Sequence, residues 1–345
     1  MRILGIETSC DETSAAVLSG SGDDVTLDAL VILSQDVHRI FGGVVPEIAS
    51  RQHLTSIVPV IDQALGDARV ELSDVDAIAV THAPGLVGAL LVGVAAAKGL
   101  SMTTGIPLVG VHHLEGHLFA TSLEHSAATP PFTALLVSGG HTMLIDVPEW
   151  GRYELLGATR DDAAGEAFDK VAKMLGLPYP GGRHLEILAA GGDPTRHRFT
   201  RPMLRRDQQV GDDDFYDMSF SGLKTAVMLA VKSDADMGQS GKHIARGFQD
   251  AHIETLAEKV ARAVRATGRN KVVLGGGVAC NRALIDAIRR RVGHQVAVFA
   301  PSPRIATDNA AMIARAGLFR AERREWAALD LAASSGTSIP GMIGR

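Results

Sequence analysis

Residues 135–147, LLVSGGHTMLIDV, decide the fold. Leu135, Leu136 and Val137 run into Ser138, Gly139, Gly140, His141 and Thr142, and an apolar run resumes at Met143, the pattern of a strand, a small polar turn and a returning strand. Residues 4–17, LGIETSCDETSAAV, repeat that layout: Arg2–Glu7 reads as a buried strand, Thr8–Thr13 as its turn and Ser14–Ser19 as the return. Two copies so far apart in the chain indicate two related halves, not an array of short repeats. A strand is expected at Leu30–Ser34. A helix is expected at Pro46–Leu65, where Ile48, Leu54, Ile57, Val58, Ile61 and Leu65 recur at helical spacing and Gly66 supplies a stop. Asp76–Thr81 and Lys271–Leu274 read as further strands, the second opening onto three glycines, and Asn281–Arg291 reads as a helix. The segment SLEHSAATPP, polar and closed by two prolines, marks a crossover. The expected division is a first lobe over 1–125, a second over 126–325 with a helical insertion, and an Ala/Ser/Gly-rich tail over 326–345 that frays.

A chain of 345 residues exceeds a comfortable single core and suits about two domains. With 46% apolar, 21% charged and 37 glycines, the composition is that of an α/β protein rich in turns. The formal net charge of −5 excludes indiscriminate binding to polyanions, so any RNA contact must be local or shared with partners. Cys10 and Cys280 are the only cysteines, too few for a disulfide framework, which points to a reducing cytoplasm. The N-terminus turns polar after Ile6 and lacks the length of a signal peptide. Ala83–Ala97, broken by Gly85, Gly88 and Gly93 and closed by Lys98, falls short of the roughly 20 residues that span a bilayer and reads as a buried helix, with no membrane role.

Three small polar turns each follow a strand: GIETSCDET, LLVSGGHT and LGGGVACN. Consecutive backbone N–H groups at such turns can cradle a phosphate, although strand-end glycine turns are also common structural devices. Neither G-x-x-x-x-G-K-[ST] nor a strand-linked G-x-G-x-x-G is present. In VHHLEGHLFA, His113 and His117 stand four apart and share a helix face, the spacing of two imidazole ligands on one metal. The plainer alternative has one histidine packed and the other solvated. Asp308, in IATDNAAMIA, would complete a two-histidine, one-carboxylate set, or it would simply cap the helix it precedes. Asp161, Asp162, Glu166 and Asp169 are read on one helix ending at Gly176, with Asp162 and Glu166 sharing a face. Asp161 and Asp162 are expected on a solvated face. Asp169, flanked by Phe168 and Val171, is a candidate acceptor for ribose hydroxyls. Glu186 follows the turn at Pro180, Gly181 and Gly182. Arg196, His197, Arg198, Arg201, Arg205, Arg206 and Lys224 form a basic stretch that suits phosphate contacts or an ordinary loop.

The segments ETSCDET, GGVVPEIASRQH, PGLVGALLVG, VHHLEGH, LLVSGGHT, DDAAGEAFDK, YPGG, SFSGLKT, GGGVACN and TDNAAMIA occur in one order, and with them the chain resembles the TsaD/YgjD family in its bacterial form from Met1 to about Gly317. The resemblance implies the actin-like, sugar-kinase-like ATPase (ASKHA) fold, an α/β architecture of two ribonuclease H-like lobes with ligands in the cleft. It implies threonylcarbamoyl transfer from threonylcarbamoyl-AMP to N6 of the adenosine beside the anticodon, in tRNAs reading codons that start with A, with release of AMP. It further implies one divalent metal on His113, His117 and Asp308, iron in the first place and zinc in the second. Threonylcarbamoyl-AMP or an adenine nucleotide would be held by Leu136, Val137, Ser138, Gly139, Gly140, Asp169, Gly182, Glu186 and Asn281, with Glu12 and Asp11 as further cleft residues. A paralogous same-fold subunit (TsaB-like), a small P-loop ATPase (TsaE-like), an upstream synthase of the adenylate and tRNA are the implied partners. The sequence departs from the family pattern at Arg183, Ala83 and Ala306, where proline, threonine and cysteine are usual.

An ATPase or sugar kinase on the same fold is the first rival, since fold does not fix function, but the paired histidines have no role there. A zinc protease would need H-E-x-x-H, whereas Glu115 stands two residues after His113. A non-catalytic scaffold would have no use for HHLEGH and TDN.

Overall fold

The computed structural model describes residues 1–205, 207–233 and 237–344, the side chains of 237–239 excepted. The chain forms two compact units, Met1–Thr129 with Pro301–Pro340, and Pro130–Ala300 with the residues from Gly341 onward.

The first unit begins with three antiparallel strands, β1 (Arg2–Glu7), β2 (Glu12–Ser21) and β3 (Asp24–Ser34). After α1 (Pro46–Ala68), β4 (Ala77–Ala83) joins β1 in parallel; after α2 (Val87–Thr104), β5 (Leu108–His112) joins β4 in parallel and passes directly into α3 (His113–Ala120). The sheet order is β3-β2-β1-β4-β5. In the second unit, β6 (Phe132–Val137), β7 (Thr142–Glu149) and β8 (Arg152–Ala158) are antiparallel. Helices α4 (Ala164–Met174), α5 (Gly181–Ala190), α6 (Ser221–Ser233) and α7 (Met237–Thr267) intervene before β9 (Lys271–Gly275), α8 (Arg282–Val292) and β10 (Ala297–Phe299). The chain then returns to the first unit with α9 (Pro303–Ala306) and α10 (Ala310–Glu322), and ends with β11 (Met342–Ile343) parallel to β8. The second sheet runs β10-β9-β6-β7-β8-β11. Its β8-β7-β6-β9-β10 portion repeats the order and strand directions of the first sheet, so the duplication legible in two hairpins extends through five strands.

Several boundaries differ from the sequence reading. The main segment of the second unit runs to Ala300, not to 325, because α10 lays its small apolar residues on β1, β2 and β4. Gly5 permits that approach: a Cβ there would stand 2.4 Å from the Ala310 carbonyl oxygen. Strand β2 already begins at Glu12, which shortens the first turn, and β3 begins at Asp24. Helix α1 runs through Gly66, and Arg69, at φ 56°, ends it. Ala83 belongs to β4, so α2 starts only at Val87 and continues past Lys98 to a stop at Gly105 (φ 76°). Although α2 has the length and mean hydropathy (1.4) of a membrane span, Ala89, Leu90, Val92, Val94 and Ala97 are buried in the first unit. Its Leu91 face is exposed, so the helix is buried on one side only. The tail is docked: Ala327 N–H donates to Leu108 O at 2.7 Å, Ser334 N–H to His82 O at 2.9 Å and His112 Nε2 to Thr337 O at 3.0 Å, while Ile339 is buried.

Candidate metal centre and glycine turns

Parallel pairing of β1, β4 and β5 delivers three polar groups to the same end of the first sheet, Glu7, Thr81 and, one residue past β5, His113. Glu7 closes an otherwise apolar strand and has no exposed surface. Its Oε2 accepts from Thr81 Oγ1 at 2.6 Å and lies 3.1 Å from His113 Nδ1, which Ser9 Oγ also approaches at 3.2 Å. Burial works to raise the Glu7 carboxyl, but the adjoining His113 outweighs it and holds the group below its usual value. With Nδ1 turned to Glu7, His113 presents Nε2 on its other side. One turn along α3, the His117 ring meets it edge to face, with centroids 4.8 Å apart.

Asp308 stands between α9 and α10. Asn309, not Asp308, caps α10, accepting from Met312 N–H at 3.1 Å. The aspartate is thereby left for the histidines: its Oδ1 lies 3.4 Å from His113 Nε2 and 3.3 Å from His117 Nε2, and one ligand atom from each of the three residues falls within 4.8 Å of the others. Both histidines are buried, and neither ring nitrogen of His117 makes a hydrogen bond. An orphaned buried imidazole beside a carboxylate is costly unless something else completes it, and a divalent cation fits that need. The charges agree. Burial opposes ionisation of Asp308, yet His113 and His117 pull its carboxyl well below the ordinary range. Burial would depress His113, but Asp308 and Glu7 raise it. Glu12 is pushed up to about 10, first by burial and then by Asp308, Asp11 and Glu7, which marks the surroundings as rich in negative charge. His53 of α1 secures the neighbouring turn, with Nε2 donating to Cys10 O at 2.9 Å and Nδ1 lying 2.8 Å from Thr13 Oγ1.

In the second unit the β6–β7 turn is closed by Ser138 N–H donating to His141 O at 2.9 Å and His141 N–H donating to Ser138 Oγ at 3.1 Å. Gly139 and Gly140 have open space where side chains would be. Leu136 and Val137 are core residues, so only their backbone can meet a ligand. Asp169 Oδ1 accepts Gly181 N–H at 2.7 Å and ties α4 to the start of α5. Burial raises this carboxyl, and the backbone donors Gly181 and Gly182 partly offset that. Glu186 accepts Arg282 N–H at 3.0 Å, and Asn281 caps α8 by accepting Leu284 N–H at 3.0 Å while its Nδ2 approaches Gln249 Oε1 at 3.4 Å. The residues expected around a nucleoside therefore also fasten α4, α5, α7 and α8 together.

A family model described as TsaD, tRNA N6-adenosine threonylcarbamoyltransferase, matches residues 26–315. A tRNA N6-adenosine threonylcarbamoyltransferase of Gemmatimonas aurantiaca is 66% identical over 99% of this chain and 98% of its own length. The chain belongs to the TsaD family. It is an acyltransferase that modifies tRNA, making N6-threonylcarbamoyladenosine. Among solved structures, the fold matches that of component A of (R)-2-hydroxyglutaryl-CoA dehydratase from Acidaminococcus fermentans, with a TM-score of 0.54 and 17% identity over 94% of this chain and 99% of that one. HypF of T. kodakarensis aligns with a TM-score of 0.61 and 15% identity over 93% of this chain and 48% of that one. These likenesses show the ASKHA-type fold.

Within this TsaD-family chain, sequence reading missed Glu7, Ser9, Thr81 and His53. Glu7 was findable, because a carboxylate ending a buried apolar strand requires a partner. Asp161 and Asp162 precede α4 instead of lying on it. Asp161 accepts from Phe220 N–H at 2.7 Å and from the Ser219 and Ser221 hydroxyls at the start of α6, and Asp162 pairs with Lys170 and Lys224, so neither is merely solvated. Of the basic stretch, Arg201 pairs with Glu254 and Arg205 with Asp214, whereas Arg206 lies outside the described residues.

Proposed function

We propose that the transfer is metal-assisted, with His113, His117 and Asp308 holding one divalent cation, Fe(II) before Zn(II). The donor is threonylcarbamoyl-AMP and the acceptor N6 of the adenosine beside the anticodon, in tRNAs reading codons that start with A. The supporting observation is buried His117, neither of whose ring nitrogens is hydrogen-bonded, beside a carboxylate that also faces His113. Two imidazoles and one carboxylate leave open coordination positions, a donor set typical of non-haem Fe(II). When bound, the cation would polarise the carbamoyl carbonyl as a Lewis acid. Glu7 fixes the His113 ring with Nε2 on the side of Asp308, where these residues would hold the ion, and His53 keeps the turn bearing Cys10, Asp11 and Glu12 in place. In the second unit, the open amides of Gly139 and Gly140 receive the AMP phosphate, with Leu136, Val137 and Ser138 shaping the turn. Asp169, Gly182, Glu186 and Asn281 surround the nucleoside. The donor is already an activated mixed anhydride, so orientation and charge stabilisation suffice.

The net charge of −5 supports a tRNA site completed by other subunits, here a TsaB-like paralogue and a TsaE-like ATPase, with a cytoplasmic synthase supplying the adenylate. Metal content and transfer of labelled threonylcarbamoyl from the preformed adenylate to unmodified tRNA, compared between wild type and Asp308→Ala, test the reading. Loss of both in the variant is expected. A variant that keeps its transfer rate would overturn the metal-assisted mechanism, and a stoichiometric zinc enzyme with full activity would overturn the preference for iron.

A further inference from the structure

The second unit carries a compact cationic ridge that the turns and the metal set do not use. From residue 196 to 200 exposure alternates: Arg196, Arg198 and Thr200 are exposed, while His197 and Phe199 are half-buried with their rings stacked 12° from parallel, centroids 6.1 Å apart. Arg196 closes a turn, its N–H donating to Asp193 O at 3.4 Å, and the alternation that follows leaves Arg196 and Arg198 exposed while the two rings face inward. The segment is fixed to α7. Asp193 N–H donates to His243 Nδ1 at 2.8 Å, Arg201 Nε to Glu254 at 2.8 Å, and the His197 carbonyl oxygen lies so near Gly247 that a Cβ there would be 2.4 Å away. Lys242, exposed on the same helix, adjoins the start of the segment at Gly191 and Gly192.

The neighbouring acids are largely matched. Asp250 pairs with Arg246 at 2.8 Å and Glu254 with Arg201, and Asp193 accepts from the Thr195 N–H and hydroxyl. Among the described residues, Arg196, Arg198 and Lys242 enter no ion pair, although the charge of Arg196 helps to lower the nearby Asp193 carboxyl. A cavity of about 360 Å³ adjoins Arg198, lined also by His197, Arg201 and the ion-paired carboxylates Asp250 and Glu254. Exposed cations without an ion-pair partner, on a segment whose backbone is fastened to α7, attract a polyanion through counterion release. The chain is acidic as a whole, so such attraction must be concentrated at few places.

We propose that Arg196, Arg198 and Lys242 form a docking ridge for the tRNA phosphate backbone. The ridge rests on the family's tRNA substrate and adds where on this chain that substrate is gripped. The test is a titration of the full chain with unmodified tRNA at several salt concentrations. For Arg196→Ala with Arg198→Ala, affinity should fall about tenfold or more, and the slope of log affinity on log salt should flatten by about one per arginine. AMP binding should stay at the wild-type value. Arg196→Lys with Arg198→Lys should restore the slope, since it depends on charge. Wild-type affinity in the alanine pair, an unrestored slope in the lysine pair, or an equal loss from Arg290→Ala on α8 would each overturn the ridge. The titration is independent of catalysis, so a chain that grips tRNA here yet transfers nothing when its partner subunits and the adenylate are supplied would sink the proposed mechanism and keep the ridge.

Discussion

Glu7 shows how one side chain links the first sheet to the chemistry. It is a carboxylate without solvent, held by Thr81 on the adjacent strand and facing His113 Nδ1. A metal-ligating histidine whose second nitrogen is bound to a carboxylate has a fixed ring orientation and a more basic donor atom, and loss of such a partner typically weakens metal binding 10–100-fold. Glu7→Gln keeps the shape and removes the charge. Chelator competition should therefore show affinity lower by about that factor, with stoichiometry at saturating metal still one per chain. Affinity equal to wild type would mean that Glu7 only satisfies Thr81 and Ser9.

At the scale of elements, the proposed metal centre depends on how closely α10 lies on β1, because β1 carries Glu7 at its end and Asp308 sits just before α10. Ala310 O and Ala314 N would stand 2.4 and 2.8 Å from a Cβ at Gly5, and both are backbone atoms of a packed helix. Gly5→Ala should cost about 1–3 kcal/mol by overpacking, a fall in Tm of roughly 2–4 °C per kcal/mol, together with weaker metal binding. Gly66 is the contrast: it lies inside α1, exposed, with nothing within 4 Å of a Cβ, and Gly66→Ala should raise stability by about 0.4–1 kcal/mol. Thermal melts of the two variants should move in opposite directions; a stabilised Gly5→Ala would refute the packing argument. Gly66 also shows the limit of local reading, since a glycine after an apolar periodic run resembles a stop, yet α1 continues because its apolar face is held by packing. The hairpins at residues 4–17 and 135–147 were legible because buried strands write continuous apolar runs. The assignment of α10 to the first unit was not, because its small apolar residues suit either sheet. In the same way the spacing of four brought His113 and His117 forward as candidates beside the plainer reading of one packed and one solvated histidine, while Glu7, His53 and Thr81 converge only through strand pairing and helix packing.

Across the whole molecule the two units share one sheet topology but bury ionisable groups differently. The first unit surrounds its buried histidine at 113 with carboxylates. The second buries His252 among Phe220, Phe168 and Phe248, the Phe220 ring stacked at 4.0 Å, and neither imidazole nitrogen is hydrogen-bonded. Burial alone depresses this imidazole to about 3. The folded state thus holds His252 neutral, while the unfolded chain takes up a proton below about 6.5. The unfolded state binds more protons in that window, so stability rises with pH: the contribution is complete above about 6.5 and is lost progressively as pH falls toward about 3. The slope is about 1.4 kcal/mol per pH unit, or roughly 2 kcal/mol between pH 6.5 and 5. His53 in the first unit is shifted the same way, first by burial, so the wild-type curve contains more than one group. The diagnostic is therefore a difference. In guanidinium unfolding at pH 7 and pH 5, with a probe in the second unit, His252→Leu should lose less stability on acidification than wild type by roughly 2 kcal/mol. Parallel curves for the two proteins would mean that His252 is solvated or partnered in solution, and that the second unit's core is less closed than its aromatic packing indicates.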